Sequence, residues 1–247
     1  MAGRPLAIVV AAMALGVAGS EPVIGYYSWN WGSGSSVKNA SFGVAFTGLN
    51  TIEGALGGYD VGASWCCPPL RGERFLSLGG GNGAGEFTAD VLKDITTNMW
   101  RVLKANYTGV VFDAEIISGG ADQMIPLFAM AFRQAKAIGL KVVVTMSHSA
   151  PYHTDTPQDA VALVRAWARD GNIDMVSPQL YSSGHEAEPD FDETYACRDA
   201  GCTWMSFIDA VPQFVPSIAN ASHFPAVQAF FADAFKVAGF IQWAQTP

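Results

Sequence analysis

Short, continuous apolar runs alternate along most of the chain with longer stretches of helical period. The runs are rich in β-branched and aromatic residues and predict strands over residues 23–29, 75–78, 110–113, 142–146, 175–180, 204–208 and 240–243. A further strand is needed between the first two, and we assign it to residues 49–56. Continuous apolar strands of this kind are typical of parallel sheets that are buried on both faces.

The stretches between these strands carry apolar residues at helical spacing. They predict helices over residues 88–104, 121–137, 156–169 and 225–238. Thr156 and Pro157 form an N-cap and an N1 proline, and Gly139 stands where a helix commonly ends. Repeated strand–helix units join by right-handed crossovers, and eight of them close into a (β/α)8 TIM barrel, an α/β fold. In that fold the functional residues lie at the carboxyl ends of the strands.

Two acidic residues stand at the end of the predicted fourth strand. Alternation along a strand places Asp113 and Glu115 on the same side. Two neighbouring carboxylates repel each other, so they share a proton and one pKa rises. Such a pair supplies a carboxylic acid that donates a proton near neutral pH. The alternative is that both are ordinary polar residues at a strand end.

Aromatic and glycine residues cluster near the ends of other strands. Flat aromatic faces stack on the C–H faces of sugar rings, so a carbohydrate suits such a cleft, although each ring alone is more often part of a core. A glycine-rich loop at residues 79–81 allows close backbone approach. A phosphate cradle is the weaker reading, because no lysine or Ser/Thr follows at the required spacing. The aromatic residues concerned are Tyr26, Tyr27, Trp29, Trp31, Tyr181 and Trp243.

Together these segments resemble glycoside hydrolase family 18, and within it the hevamine-like class III chitinases. The four matching segments occur in the order of the family. They are LSLGGG at 76–81, GVVFDAE at 109–115, QLY at 179–181 and GFIQW at 239–243. The resemblance covers most of the chain after residue 20 and is poor over residues 32–69. It implies one minimal barrel over residues 21–247, without the last outer helix.

The resemblance also implies a substrate and a mechanism. Members cleave β-1,4-linked N-acetylglucosamine polymers with retention, and the acetamido group of the substrate acts as the nucleophile. Glu115 corresponds to the general acid and base, and Asp113 to the residue that orients the acetamido group. Tyr181 corresponds to a hydrogen-bonding partner of that group. The remaining implied contacts to substrate are Gln179, Trp243, Tyr26, Met146 and Gly80.

Two positions depart from the family pattern. The family usually has acids where this chain has Thr108 and Val111. The acid missing at Val111 normally interacts with the residue equivalent to Asp113 and helps to set its protonation. The loss favours a slower enzyme or a shifted pH optimum, and it motivates an alternative, a chitinase-like lectin or inhibitor that binds glycan without turnover. A barrel enzyme acting on something other than carbohydrate is a third reading.

Composition and charge limit the possible partners. Hydrophobic residues make up 50% of the 247 residues and charged ones 15%, which excludes a disordered chain. The formal charge of −8 argues against nucleic acid and against anionic membranes. The four histidines show no metal-ligand spacing, so we expect no metal, and we expect no cofactor. An N-acetylglucosamine-containing glycan is the expected partner of a monomer.

The first twenty residues predict a secreted protein. Arg4 precedes an apolar stretch over residues 6–17, and small residues follow at 18–20, as in a secretory signal peptide. A short buried helix is the alternative. In an oxidising compartment the four cysteines, at 66, 67, 197 and 202, suggest two disulfides, with three connectivities open. Sequons for N-linked glycans begin at Asn39, Asn106 and Asn220.

Overall fold

The computed structural model describes residues 21–32, 34–63 and 66–245, so the predicted signal peptide lies outside the described residues. Parallel strands there form one sheet. The strands are β1 Val23–Trp29, β2 Phe42–Phe46, β3 Glu73–Gly79, β4 Gly109–Asp113, β5 Lys141–Ser147, β6 Met175–Gln179, β7 Gln213–Phe214, β8 Ser217–Ile218 and β9 Gly239–Gln242. The helices are α1 Ile52–Gly58, α2 Ala89–Asn98, α3 Trp100–Lys104, α4 Ala121–Ala137, α5 Pro157–Trp167, α6 Tyr195–Asp199 and α7 Phe224–Phe231.

The sheet closes on itself into a barrel with eight positions. Each strand from β1 to β6 pairs in parallel with the next one, and β9 pairs in parallel with β1. The short strands β7 and β8 both pair with β6 and together occupy the seventh position. A closed barrel leaves no unpaired edge, and the predicted (β/α)8 fold is confirmed.

Strand alternation divides the buried residues between two cores. The larger core lies between the strands and the helices, and a smaller apolar cluster fills the barrel interior. On β1, for example, Tyr27 and Trp29 belong to the inner cluster. Ser28, between them, points the other way and contacts Tyr59, because successive side chains of a strand alternate between faces. The inner cluster consists mainly of Tyr27, Phe42, Val44, Phe46, Phe75, Val111, Val143, Met175, Val215 and Ile241.

The predicted second strand at residues 49–56 is wrong. That segment forms α1, and β2 lies earlier, at Phe42–Phe46, where all five residues are buried. The Thr51 side chain accepts a hydrogen bond from the Gly54 amide, which caps the helix and satisfies one of its free amide groups. This capping outweighs the apolar content that suggested a strand.

The predicted seventh strand at residues 204–208 is also wrong. Trp204–Phe207 is a 3-10 helix, and the seventh position of the barrel is filled by β7 and β8. Trp204 and Phe207 are buried, whereas Met205 and Ile208 are 50% and 45% exposed. Burial at a spacing of three residues is a helical pattern, which a short apolar run does not distinguish from a strand.

The predicted helices differ from the structure mainly at their ends. The helix over 121–137 is confirmed, and the Thr156 cap and Pro157 start of α5 are confirmed as a capping box with Asp159. The predicted helix over 88–104 is interrupted at Met99 into α2 and α3. The last helix stops at Phe231, where a turn lets the Phe235 ring stack on it at 4.9 Å.

The described cysteines form two disulfides that are local in sequence. Cys66 bonds to the adjacent Cys67, and Cys197, within α6, bonds to Cys202 just after that helix. Both lie outside the barrel interior, since Cys67, Cys197 and Cys202 belong to the core that packs against the helices. No helix among the described residues is long and apolar enough to cross a membrane.

Candidate active site

The two acids predicted at the end of β4 are joined by one amide group. Asp113 is the last residue of β4 and Glu115 follows two residues later. Gln179, at the end of β6, donates from Nε2 to Asp113 Oδ1 at 3.1 Å and to Glu115 Oε1 at 3.2 Å. The ends of β4 and β6, which are separated by β5, thus hold both carboxyl groups. The prediction that Asp113 and Glu115 lie on the same side is confirmed.

A serine on β5 holds the other oxygen of Glu115. Ser147 Oγ donates to Glu115 Oε2 at 3.0 Å, and Ser147 pairs in register with Gln179 on the adjacent strand. Our sequence analysis missed Ser147 and chose its neighbour Met146. The signal was available, because Val143 and Ser147 have the same parity on β5 and Val143 belongs to the inner cluster.

Burial and charge keep a proton on this pair. Asp113 is 1% exposed. Burial raises the pKa of Asp113 well above its usual value, and the nearby charge of Glu115 raises it further. Asp113 therefore retains a proton at a pH where an isolated aspartic acid has lost it.

Aromatic rings form a floor beside the carboxyl pair. The Trp243 indole follows β9 and stacks on the Tyr181 ring with 5.8 Å between centroids. It also contacts Trp29 at 4.8 Å and Tyr27 at 5.1 Å. Trp31 stacks on Trp29 at 5.7 Å and is 61% exposed, so a row of indoles runs from the carboxyl pair to the surface.

The Tyr181 hydroxyl is a buried donor without a partner in the described part of the chain. Its oxygen is inaccessible to solvent and makes no hydrogen bond there. Burial raises the pKa of Tyr181 well above its usual value, with further contributions from Tyr27, Asp113 and Glu115. The hydroxyl thus stays protonated, and leaving a buried polar group unpaired costs about 1–3 kcal/mol. A ligand atom would satisfy it only after the side chain turns toward the cleft, because the oxygen is enclosed in the unbound chain.

The glycine-rich loop after β3 brings backbone close to both acids. Gly79 and Gly80 have φ values of +96° and +141°, which favour glycine. A Cβ on Gly80 would lie 3.7 Å from Asp113 Oδ2, and one on Gly81 would lie 3.0 Å from Glu115 Oε2. The close-approach interpretation of this loop is confirmed, and Gly80 borders the site as expected.

Two predicted cleft residues are not brought to the site. Met146 belongs to the outer core between barrel and helices. Tyr26 also faces outward: its hydroxyl accepts from the Arg71 amide at 2.6 Å, and its ring would meet a Cβ on Gly43. Because successive side chains of a strand face opposite sides, the residues that follow them, Tyr27 and Ser147, face the barrel interior instead. Tyr27, named among the aromatic residues at strand ends but not among the implied substrate contacts, lies on the floor of the site, and burial and the Asp113 charge raise its pKa.

The loop after β6 covers one edge of the aromatic floor. Gly184 has a φ of +81°, and a Cβ there would overlap the Trp243 indole. The Glu186 carboxylate closes this turn by accepting from the Ser182 and Ser183 amides. Although burial raises the pKa of Glu186, these hydrogen bonds lower it to about 2. His148 Nε2 lies 3.0 Å from Asp190 Oδ2 and ties the end of the loop to β5.

One of the two positions where the family resemblance leads us to expect an acid, Val111, lies inside the barrel. Val111 is fully buried in the inner cluster and pairs in register with Ser77. Ser77 Oγ is buried and has no hydrogen-bond partner among the described residues. Valine there supplies neither a charge nor a hydrogen bond to the group that follows it on the same face, Asp113. Among the residues that the structure describes, no cluster of His, Cys, Asp or Glu is placed to hold a metal ion.

No family model and no curated protein matches this chain. Among solved structures, it is similar to a chitinase from Chromobacterium violaceum ATCC 12472, with 14% sequence identity and a TM-score of 0.42. The similarity covers 85% of this chain and 76% of that chain.

Proposed function

We propose that the chain is a secreted glycoside hydrolase that cleaves β-1,4-linked N-acetylglucosamine polymers, with retention and by substrate assistance. The observation that carries this proposal is the bridge from Gln179 Nε2 to both Asp113 and Glu115, beside an aromatic floor. A shared proton, a pair of acids and a flat apolar surface are what hydrolysis of a glycosidic bond on a sugar polymer needs.

The first step forms an oxazolinium ion from the substrate itself. When the sugar binds on Trp243, the proton that Asp113 holds in the unbound chain passes to Glu115 and leaves Asp113 ionised. The acetamido oxygen then attacks C1, the bond from C1 to the leaving oxygen breaks, and Glu115 gives that oxygen the proton. Asp113 orients the acetamido group and stabilises the positive charge that develops. The Tyr181 hydroxyl, which lacks a partner in the described part of the chain, turns toward the cleft and donates to the acetamido group.

The second step consumes one water molecule. Glu115, now ionised, takes a proton from water as the water oxygen attacks C1 on the face that the leaving sugar vacated. The oxazolinium ring opens and restores the acetamido group. Two inversions at C1 give net retention, and the Asp113–Glu115 pair regains the proton with which the cycle began.

Initial rates on soluble chitin oligosaccharides test this proposal. We expect the wild type to release shorter oligosaccharides and Glu115→Gln to lose at least about 100-fold in kcat, since general acid–base catalysis contributes about that much or more. Equal, slow release by both proteins would refute it. The secreted location is tested on protein recovered from the medium of an expressing host. The intact mass of that protein should match a chain that starts at Glu21.

A glycan-binding protein without turnover is the second candidate, and Val111 favours it. The valine removes a carboxyl group that the family resemblance places next to Asp113, inside the barrel. Calorimetry with chitin oligosaccharides separates the two candidates. Tight binding by the wild type without any cleavage would support the binding protein over the hydrolase.

A further inference from the structure

Two loops meet beside Glu115, the loop after β3 and the loop after β5. The Tyr152 hydroxyl, after β5, donates to the Gly81 carbonyl oxygen, after β3, at 3.1 Å. The chain next to Tyr152 is fixed to the strand end as well, because the His153 amide donates to the Glu115 carbonyl oxygen at 3.2 Å. Tyr152 is thereby held beside the acid, although it is 45% exposed.

The two oxygens of Glu115 face different parts of the cleft. Oε1 accepts from Gln179, which also holds Asp113. Oε2 accepts from Ser147 and lies 3.0 Å from where a Cβ on Gly81 would be. A Cβ on Gly81 would lie 3.5 Å from Oε1, so Gly81 is nearer to Oε2. Glu115 thus lies between Gln179 on one side and Gly81, which holds Tyr152, on the other.

The electrostatic environment of Tyr152 also places it near the acids. Burial raises the pKa of Tyr152, and the charges of Glu115 and Asp113 raise it further. The phenol consequently remains neutral and keeps its hydrogen bond to Gly81. Its ring presents an apolar face, and the 45% exposure of the residue leaves room for a partner there.

We propose that Tyr152, tethered to Gly81, contacts the leaving sugar and sets the preference of the enzyme for substrates that have a sugar on that side. This inference rests on the proposed function. If the reacting sugar lies on Trp243, with its acetamido group toward Asp113, the leaving oxygen must lie at Glu115 and the leaving sugar beyond it. The surface there consists of Gly81 and the Tyr152 ring.

A pair of substrates that differ only in the leaving group tests the inference. Chitotetraose has a sugar on the leaving side, whereas β-chitobiosyl fluoride has only fluoride. Tyr152→Ala is expected to lower kcat/KM for chitotetraose about tenfold, the size of one good aromatic contact, and to leave the fluoride within about twofold of wild type. Tyr152→Phe keeps the ring and should stay within about threefold on both substrates.

Trp100→Ala is the matched control. It removes another exposed aromatic ring, 51% accessible, from α3, which leads into the amino end of β4. We expect no change on either substrate. An unchanged rate of Tyr152→Ala on chitotetraose, or an equal loss on both substrates, would overturn the inference alone. A wild type that cleaves neither substrate would overturn the proposed function, and this inference with it.

Discussion

Asp113, Glu115 and Gln179 behave as one unit, because a single amide nitrogen donates to both carboxyl groups. The two bonds, of 3.1 and 3.2 Å, fix how the carboxyl groups face each other. A hydrogen bond to a charged group contributes about 1.5–3 kcal/mol when made and costs more when its buried partner is left unpaired. Gln179 is thus the residue on which the orientation of both acids depends.

Replacement of Gln179 tests this dependence. Gln179→Ala is expected to lower kcat about 30-fold, equivalent to about 2 kcal/mol, because Asp113 and Glu115 lose their common donor. Steady-state kinetics on chitin oligosaccharides measure it. Gln213→Ala is the control, since that glutamine is exposed at the start of β7, the opposite end of the barrel. A wild-type kcat in Gln179→Ala would contradict the role.

The raised pKa of Asp113 predicts how stability depends on pH. The folded chain keeps a proton on Asp113 that the unfolded chain releases above about pH 4. The folded state then binds more protons, so its free energy of unfolding falls as the pH rises toward neutral. Each unit of pKa elevation corresponds to about 1.4 kcal/mol. Asp113→Asn, which cannot ionise, lacks this fall.

Urea unfolding of wild type and Asp113→Asn at pH 4 and pH 7 measures the effect. We expect the stability of the wild type, relative to the variant, to be greater at pH 4 than at pH 7. A difference between the two proteins that is independent of pH, or that grows toward neutral pH, would show that Asp113 ionises as freely in the folded chain as in the unfolded one.

At the scale of elements, the strands formed by continuous apolar runs were mostly predictable from the sequence. The short segments between them were less so. The run that ends in Asp113 and Glu115 carries both its strand and its chemistry in seven residues. Residues 49–56 and 204–208 failed because short apolar runs fit either a helix or a strand. Caps on Thr51 and Thr203 decided those cases, and their hydrogen bonds depend on local geometry that composition does not reveal.

The site itself was predictable where strand parity was unambiguous. Gln179 contacts both carboxyl groups, and Tyr181 and Trp243 stack on each other beside them, because each residue matches a strand end in the order of the barrel. Tyr26 and Met146 failed by one residue. A shift of one position along a strand moves a side chain from the interior to the helices, so an error in parity is an error of face.

The loop after β6 offers a test at the same scale. Gly184→Ala would press a methyl group against the Trp243 indole, and it also strains a residue at φ +81°. We expect a loss of stability of about 1 kcal/mol and a rise in KM for chitin oligosaccharides, because the floor under the reacting sugar moves. Thermal unfolding and steady-state kinetics measure the two effects.

Gly139→Ala separates the strain from the contact. Gly139 has a similar φ of +88°, but a Cβ there would meet nothing within 4 Å. It should lose a comparable amount of stability and keep the wild-type KM. If both variants raise KM equally, the contact of the loop with Trp243 does not shape the substrate site.

At the scale of the whole molecule, closure of the barrel assembles the site. β1, β4, β6 and β9 are far apart in sequence, yet parallel pairing brings all their carboxyl ends to one mouth. Below this mouth the barrel is packed with apolar side chains and buried hydroxyl groups, among them the hydrogen-bonded Ser177 and Ser217. The packed interior excludes water from beneath Asp113, and that burial is the main cause of its raised pKa.

The most direct test of the proposed mechanism is the anomer that the wild type forms first. Proton NMR during hydrolysis of chitotetraose, before the products mutarotate, should show the β-anomer, and the corresponding glucose oligosaccharide, which lacks the acetamido group, should not be cleaved. First formation of the α-anomer, or equal cleavage of the glucose oligosaccharide, would contradict catalysis by the substrate's own acetamido group with Glu115 as acid and base.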